Sequence, residues 1–213
     1  MKKTLLFAAI LFALHLPLTT LHSAQAQQRF DASLFFGANF SQIDGDDAGG
    51  FSHLGLRGGV GTSFHFGWDE RTPWRMVVEL AFTQKGSQIN NSLLSRTITL
   101  NYVEMPVMMS YTMFDGTLRL AAGVAPAVLV GAKVTDGGGE ENIAQEENYK
   151  RFDYCPLTFS ARYLFSYNIA AELRFQTSML SVVNQASHGT YRLFRENKGA
   201  FNRTLSVGLS YCF

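Results

Sequence analysis

Alternation of apolar and polar residues runs through eight segments of this 213-residue chain. One face of every segment carries no charge, although 16% of the chain is Asp, Glu, Lys or Arg. A period of two is typical of β-strands whose two faces meet different surroundings. The pattern therefore predicts an all-β protein with eight strands. The apolar faces lie in residues 30–40, 54–68, 74–82, 103–113, 118–134, 157–165, 169–175 and 205–213.

The connections between these strands alternate between short and long. Short links are predicted at residues 69–73, at Asp115-Gly116 and around Tyr167-Asn168. Asp-Gly is a strong hairpin signal because both central positions of the turn need a positive φ. Long polar links are predicted over residues 41–53, 83–97, 135–155 and 177–203. This rhythm is typical of antiparallel up-and-down barrels in bacterial outer membranes.

Alternation alone does not decide which face meets lipid, since a secreted ligand-binding barrel such as a lipocalin shows the same period. In the second strand the other face includes Gly55, Arg57, Gly59 and Gly61, and glycines there leave room in a narrow lumen for longer side chains. Aromatic residues gather where the apolar faces end, as at a bilayer interface. Both features favour a transmembrane barrel with a polar, filled interior, and the soluble barrel stays an alternative. The predicted interfacial aromatics are Trp68, Trp74, Tyr111, Tyr167, Tyr211 and Phe213.

The N-terminus has the pattern of a secretory signal. Lys2 and Lys3 precede a mostly apolar run, and Ala24-Gln25-Ala26 resembles a signal-peptidase site. The apolar run is shorter than the roughly 20 residues of a spanning helix. We therefore predict a cleaved signal peptide over residues 1–26 and a barrel domain over residues 27–213. The nearly balanced charge gives no basic stripe, so no nucleic-acid partner is expected.

The ionisable residues of the strands fall on the face opposite the apolar one. An eight-stranded barrel is just wide enough to be filled by side chains, and buried charges must pair. We predict a salt-bridge network that plugs the lumen, with a narrow or gated ion path as the alternative. The predicted interior charge network is Arg57, Arg75, Glu79, Glu104, Arg119, Arg162, Glu172 and Arg174.

Residues suited to catalysis are few. His53 and His188 lie at the predicted loop-bearing rim, beside Ser52 and Ser187. Adjacent residues of an extended chain point in opposite directions, so neither pair makes a nucleophile and its base. We predict no enzyme, no cofactor and no metal site; a lipid-modifying enzyme is an alternative.

The two cysteines are predicted at opposite ends of the barrel. Cys155 begins the sixth strand, and Cys212 ends the eighth. A disulfide needs Cα atoms within about 7 Å, so two free thiols are expected.

Two strands carry an irregularity. Ile98, Leu100 and Tyr102 are on even positions, whereas the apolar face from Val103 onward is on odd ones. We predict a β-bulge between residues 100 and 103 that resets the phase. Pro126 lies inside the fifth strand, where it cannot donate a ladder hydrogen bond, so a bulge or local break is expected there.

Three short segments resemble known outer-membrane proteins. The aromatic C-terminus, Leu209 to Phe213, resembles the signal by which such proteins engage the barrel-assembly machinery. Segments 101–106 and 122–126 are similar to the PorT-like, OmpA-like small barrels of Bacteroidetes-type bacteria. The resemblance implies an outer-membrane location, contact with outer-membrane lipid and, in some relatives, a link to secretion. From the whole pattern we expect a structural or interaction role, with long loops available to envelope partners: adhesion, envelope integrity or a secretion complex.

Overall fold

A computed structural model describes residues 30–44, 50–65, 72–91, 94–136, 139–142, 149–154, 156–183 and 200–213. No helix in these residues is long and apolar enough to cross a membrane. The predicted signal peptide lies outside the described residues. The strands are β1 (Phe30–Asp44), β2 (His53–His65), β3 (Trp74–Asn91), β4 (Leu94–Glu104), β5 (Val107–Met113), β6 (Leu118–Val124), β7 (Ala127–Asp136), β8 (Gly139–Asn142), β9 (Phe152–Asp153), β10 (Pro156–Leu164), β11 (Ile169–Ser178) and β12 (Phe201–Cys212).

Eight of these strands close into a ring. β1 pairs with β2 on one side and β12 on the other, and the order continues through β11, β10, β6, β5 and β3. β3 then pairs with β2, which closes the sheet. β4 and β7 continue β5 and β6 beyond the ring, and β9 pairs with β7. The predicted eight-stranded antiparallel barrel is confirmed.

Three prolines interrupt neighbouring wall strands at nearly one level. Pro106 separates β4 from β5, Pro126 separates β6 from β7, and Pro156 begins β10. Each proline carbonyl still accepts a 2.9 Å hydrogen bond from the neighbouring segment of the wall, donated by the backbone N of Glu79, Met105 and Ala125 respectively. The break expected at Pro126 is confirmed, and the chain keeps its register across it because only the donor half of the ladder is lost.

Burial alternates along the wall as the sequence predicts. Leu54, Leu80 and Leu209 on the outer surface are 66%, 55% and 56% exposed, whereas inner-face residues are largely buried. Gly59 shows why small residues line this lumen: a Cβ atom there would collide with the Leu80 carbonyl and lie 2.8 Å from the Phe35 ring. The barrel is thus apolar outside and tightly filled inside.

The short connections lie together at one end of the barrel, called here the turn end; the opposite end is the loop end. Asp115 and Gly116 both have positive φ, at 52° and 94°, and Thr117 N donates to the Phe114 carbonyl over 3.0 Å. The hairpin predicted at Asp115-Gly116 is confirmed. Residues 165–168 make another short link at the same end.

At the loop end the structure corrects two predictions. Residues 83–97, expected as a loop, are mostly strand, since β3 continues to Asn91 and β4 starts at Leu94. The register of the β4–β7 pair shifts between Asn101 and Tyr102, where a bulge is predicted, but β4 itself keeps its phase: Leu100, Tyr102 and Glu104 all lie buried on the inner face. The extra residue is in the partner strand, because Asn101 pairs with Gly131 and Tyr102 with Leu129, leaving Val130 unpaired.

An apolar cluster fills the loop end of the lumen. After the bulge at Val130, Ala132 and Val134 turn inward instead of onto the predicted outer face. The interior is therefore polar through its middle and turn end but apolar at its loop end. The cluster consists of Ile43, Ile98, Leu100, Tyr102, Ala127, Ala132 and Val134, with Leu129, Tyr149 and Ala200 packed against it.

Residues 84–91 of β3 and 94–101 of β4, called here the β3–β4 extension, lean inward over the mouth of the barrel. Gly86 N donates to the buried Ser41 Oγ at 2.9 Å, and Asn39 Nδ2 donates to the Gln84 carbonyl at 3.1 Å. Both partners belong to the inner face of β1, so the extension packs against the inside of the wall, across β2 from β3. This packing closes the loop end together with the apolar cluster.

Candidate functional site

All eight charged residues predicted for the interior lie on the inner face. Arg57, Glu79, Glu104, Arg162, Glu172 and Arg174 are buried, while Arg75 and Arg119 at the turn end are half-buried. The structure does not join them into one network. It divides them into three groups, stacked along the barrel axis.

The central group joins three guanidiniums to two carboxylates. Glu79 contacts Arg57 at 2.7 Å, Arg162 at 3.2 Å and Arg174 at 2.8 Å. Glu172 contacts the same three arginines, at 3.2, 2.6 and 2.8 Å. Every carboxylate therefore meets every guanidinium, and the five side chains form one closed cluster.

This cluster crosses the lumen. Its members come from β2, β3, β10 and β11, and in the ring two other wall strands separate β2 from β11 and two separate β3 from β10. The Arg57 guanidinium also lies 4.2 Å from the centre of the Phe35 ring, which fills the space beside it. Charges buried this deeply are tolerated only when they are paired and hydrogen-bonded. The cluster consequently bridges opposite walls and blocks the lumen.

A second group lies nearer the loop end. Lys85 Nζ is 2.5 Å from Glu104 Oε1, and Gln176 Nε2 donates to Glu104 Oε2 at 3.2 Å and to Thr158 Oγ1 at 3.1 Å. Lys85 also lies 5.5 Å from the centre of the Tyr102 ring. This group borders the apolar cluster and neutralises itself.

The third group is at the turn end, where Asp31 forms an ion pair with Arg75 and lies 3.8 Å from Arg119. Sequence reasoning missed both Asp31 and Lys85. Each lies on the inner-face parity of its strand, so continuing the alternation of β1 and β3 would have found them. Lys85 lies in residues 83–97, which the sequence pattern predicts as a loop but which are mostly strand.

The interfacial aromatics mark the turn end on the outer surface. The rings of Trp74 and Tyr111 meet edge to face at 4.9 Å, and those of Tyr211 and Phe213 at 5.1 Å. Tyr167 is 99% exposed in the 165–168 turn. Trp68 lies outside the described residues.

His53 does not sit on an open rim. Its Nδ1 is 3.2 Å from Ser41 Oγ and its Nε2 is 3.0 Å from Thr99 Oγ1, and the residue is buried. Ser52, its neighbour in sequence, turns away and donates to the Gln88 carbonyl at 2.8 Å. His53 thus fastens β2 to the β3–β4 extension. His188 and Ser187 lie outside the described residues.

Of the two cysteines, Cys212 is described and is a free thiol on the inner face of β12. Cys155 lies outside the described residues. The described part of the chain contains no group of three or more His, Cys, Asp or Glu residues that could hold a metal ion.

A closed β-barrel with an apolar outer surface, aromatic residues at one end and a charged, filled lumen is a transmembrane barrel of the outer-membrane class. Residues 24–184 match the family described as outer membrane protein beta-barrel domain, and the chain belongs to this family. The protein is therefore located in the bacterial outer membrane.

Solved barrels share this fold. Ail, the attachment invasion locus protein of Yersinia pestis, solved with the heparin analogue sucrose octasulfate, is 12% identical with a TM-score of 0.51, and the alignment covers 87% of this chain and 100% of Ail. Neisserial surface protein A is also 12% identical with a TM-score of 0.51, covering 87% of this chain and 98% of its own. A comparison with curated protein sequences finds no significant match.

Proposed function

We propose that this protein is a closed, non-conducting outer-membrane barrel whose role is structural or interactive, and whose loop end faces outward from the cell. The observation that carries the proposal is the double closure of the lumen. The central charge cluster crosses it, and the apolar cluster with the inward-leaning β3–β4 extension fills its loop end. Function then belongs to surfaces, not to a pore.

Conductance in a planar bilayer tests the closure. We expect no unitary current steps from the refolded full-length barrel, or from its Glu79→Gln variant when that variant is folded. Steady current steps from the wild-type barrel that change in size with Glu79→Gln would show an ion path through the cluster and contradict the proposal.

The orientation rests on the positions of the turns and extensions. Barrels of this class have short periplasmic turns and longer outer loops. Phe51 at the loop end is 40% exposed and Tyr167 at the turn end is 99% exposed. With both native cysteines replaced by serine, we expect Phe51→Cys to react with an impermeant maleimide on intact cells and Tyr167→Cys to react only after lysis. The reverse result would overturn the orientation.

An interaction role is supported by the strands that continue beyond the ring. β3, β4 and β7 extend past it, β8 is added to β7, and the exposed residues there include Arg96, Lys133 and Arg151. Such a projection suits adhesion, envelope integrity or membership of a secretion complex. A photo-crosslinking residue at Phe51, compared with one at Tyr167, would locate partners: adducts at Tyr167 alone would contradict an outward-facing interaction surface.

Assembly through the C-terminal strand is part of the proposal. Phe213 is 62% exposed, and its backbone N donates to the Ala32 carbonyl at 2.9 Å, so this residue completes the seam between β12 and β1. We propose that the barrel-assembly machinery recognises this strand before the seam closes. Deleting Phe213 should lower the amount of heat-modifiable barrel in cells more than it slows refolding in detergent.

We also propose a PorT-like identity within the family and a non-enzymatic role. The two segments that carry the resemblance lie side by side, since Met105 N donates to the Pro126 carbonyl at 2.9 Å.

The Ser41–His53 pair is buried, which keeps it from any substrate. Lipid A from cells expressing the protein should keep its mass; a shift that His53→Gln abolishes would reveal an enzyme.

A further inference from the structure

Two arginines face each other directly across neighbouring strands inside the barrel. Arg119 of β6 and Arg162 of β10 are register partners, and both side chains are on the inner face. Like charges directly opposite each other in an antiparallel pair are destabilising, and more so away from water. Arg162 has Glu172 and Glu79 as partners, whereas among the described residues Arg119 has one carboxylate partner, Asp31, at 3.8 Å.

The charges around this pair do not balance. Among the described residues, the middle and turn end of the lumen hold the guanidiniums of Arg57, Arg75, Arg119, Arg162 and Arg174 against the carboxylates of Asp31, Glu79 and Glu172. Lys85 and Glu104 cancel each other, and Asp153 is held by Ser178 at the loop end. His65, beside Arg75 on β2, supplies no negative charge. Within the described part of the chain, this region therefore has an excess of two positive charges.

A small cavity lies between the two facing arginines. It has a volume of about 20 Å³, and its lining includes Arg119, Arg162 and the hydroxyl groups of Ser63, Ser110 and Ser160. This is room for one particle the size of a water molecule. Arg119 Nε is buried and makes no hydrogen bond to the protein. The cavity therefore offers positive charge and an unused N–H, while the Ser63 and Ser110 hydroxyl groups donate to Asp31 and to the Arg75 carbonyl.

We propose that this cavity binds a single monatomic anion of chloride size. The ion would sit between the Arg119 and Arg162 guanidiniums, and it would remove one of the two excess charges. A carboxylate or phosphate group is too large for the space. A water molecule would fit, but it would leave the positive excess among the described residues uncompensated. The anion thus completes the turn-end part of the lumen as a structural component.

Bromide tests the site directly, because it resembles chloride in size and scatters anomalously. Crystals of the full-length barrel in detergent, soaked in sodium bromide, should show an anomalous peak between Arg119 and Arg162. The absence of a peak there in a data set that shows bromide at the protein surface would overturn the proposal.

Stability measurements separate a bound ion from general screening. Above the dissociation constant, a tenfold increase in bromide should lower the unfolded fraction about tenfold relative to gluconate of equal ionic strength. Arg119→Gln should abolish this difference, while Arg203→Gln, which removes a charge from the exposed Asp44 pair, should preserve it. Equal stability of the wild-type barrel in the two salts would contradict the site, whether or not Arg119→Gln folds.

Discussion

The two ends of the lumen are filled in opposite ways. The middle and the turn end hold paired charges around Glu79 and Glu172, whereas the loop end holds side chains such as Leu100 and Ile43. Outside the barrel the pattern reverses. Apolar residues cover the middle, while the exposed residues Lys133 and Thr135 carry the outer face beside the apolar cluster. The difference indicates that β4 and β7 leave the bilayer there, so that water replaces lipid outside and the core moves inside.

The largest effect should follow from Glu79→Gln. The substitution leaves three guanidiniums facing one carboxylate, and breaking a buried ion pair typically costs about 3–5 kcal/mol. We expect a lower urea midpoint of unfolding. The folded fraction is measured from the heat-modifiable shift in gel mobility. Asp44→Asn, at an exposed ion pair, serves as the control. If the two variants have the same midpoint, the central cluster does not stabilise the barrel.

Leu100→Ala should come next. Leu100 is fully buried in the apolar cluster, and such a truncation costs about 2–5 kcal/mol because it leaves a cavity. Leu54→Ala is the matched control, since Leu54 is 66% exposed on the outer surface, where detergent or lipid can fill the space. An equal loss of unfolding free energy in both variants would show that the loop end is not a core.

A smaller effect should show that the interfacial aromatic pair stabilises the barrel by more than the area it buries. Trp74 and Tyr111 are register partners with rings 4.9 Å apart, and such pairs contribute about 0.5–1.5 kcal/mol beyond their area. A double-mutant cycle to leucine, measured by urea unfolding in lipid vesicles, should show this coupling. The same cycle on Leu54 and Phe40, an aliphatic–aromatic register pair on the outer surface, should show less.

The sequence was sufficient for the wall because one physical rule applies throughout the bilayer. The outer-face positions there are apolar because they meet lipid, so alternation located the eight strands and the inner-face charges. The rule fails at Ile98, Leu100 and Tyr102, where apolar side chains mark a core. If these side chains faced lipid, β4 would need a bulge to reset its phase. In the structure the bulge is in β7, at Val130.

The partners of the interior charges could not be derived from parity. Parity places Arg57, Glu79 and Arg174 inside, but their contacts depend on the height and tilt of strands that are not neighbours in sequence. The contact between Arg119 and Arg162 differs from these, because the two residues lie on strands that pair with each other, β6 and β10. Predicting that these two residues face each other requires the β6–β10 register. The hydrophobic pattern shows which face a residue lies on, but not which residue of the neighbouring strand it pairs with.

The smallest effect should be found at the loop-end rim, and it sharpens the contrast with the central cluster. Arg203 Nε lies 2.8 Å from Asp44 Oδ2, a distance similar to those around Glu79, but the side chains are 38% and 23% exposed. Exposed ion pairs contribute about 0–1 kcal/mol because water screens the charges and both side chains lose conformational freedom. Arg203→Ala should therefore leave the urea midpoint almost unchanged, and 1 M salt should remove what difference remains. A loss as large as that of Glu79→Gln would mean that distance alone, without burial, determines the strength of these ion pairs.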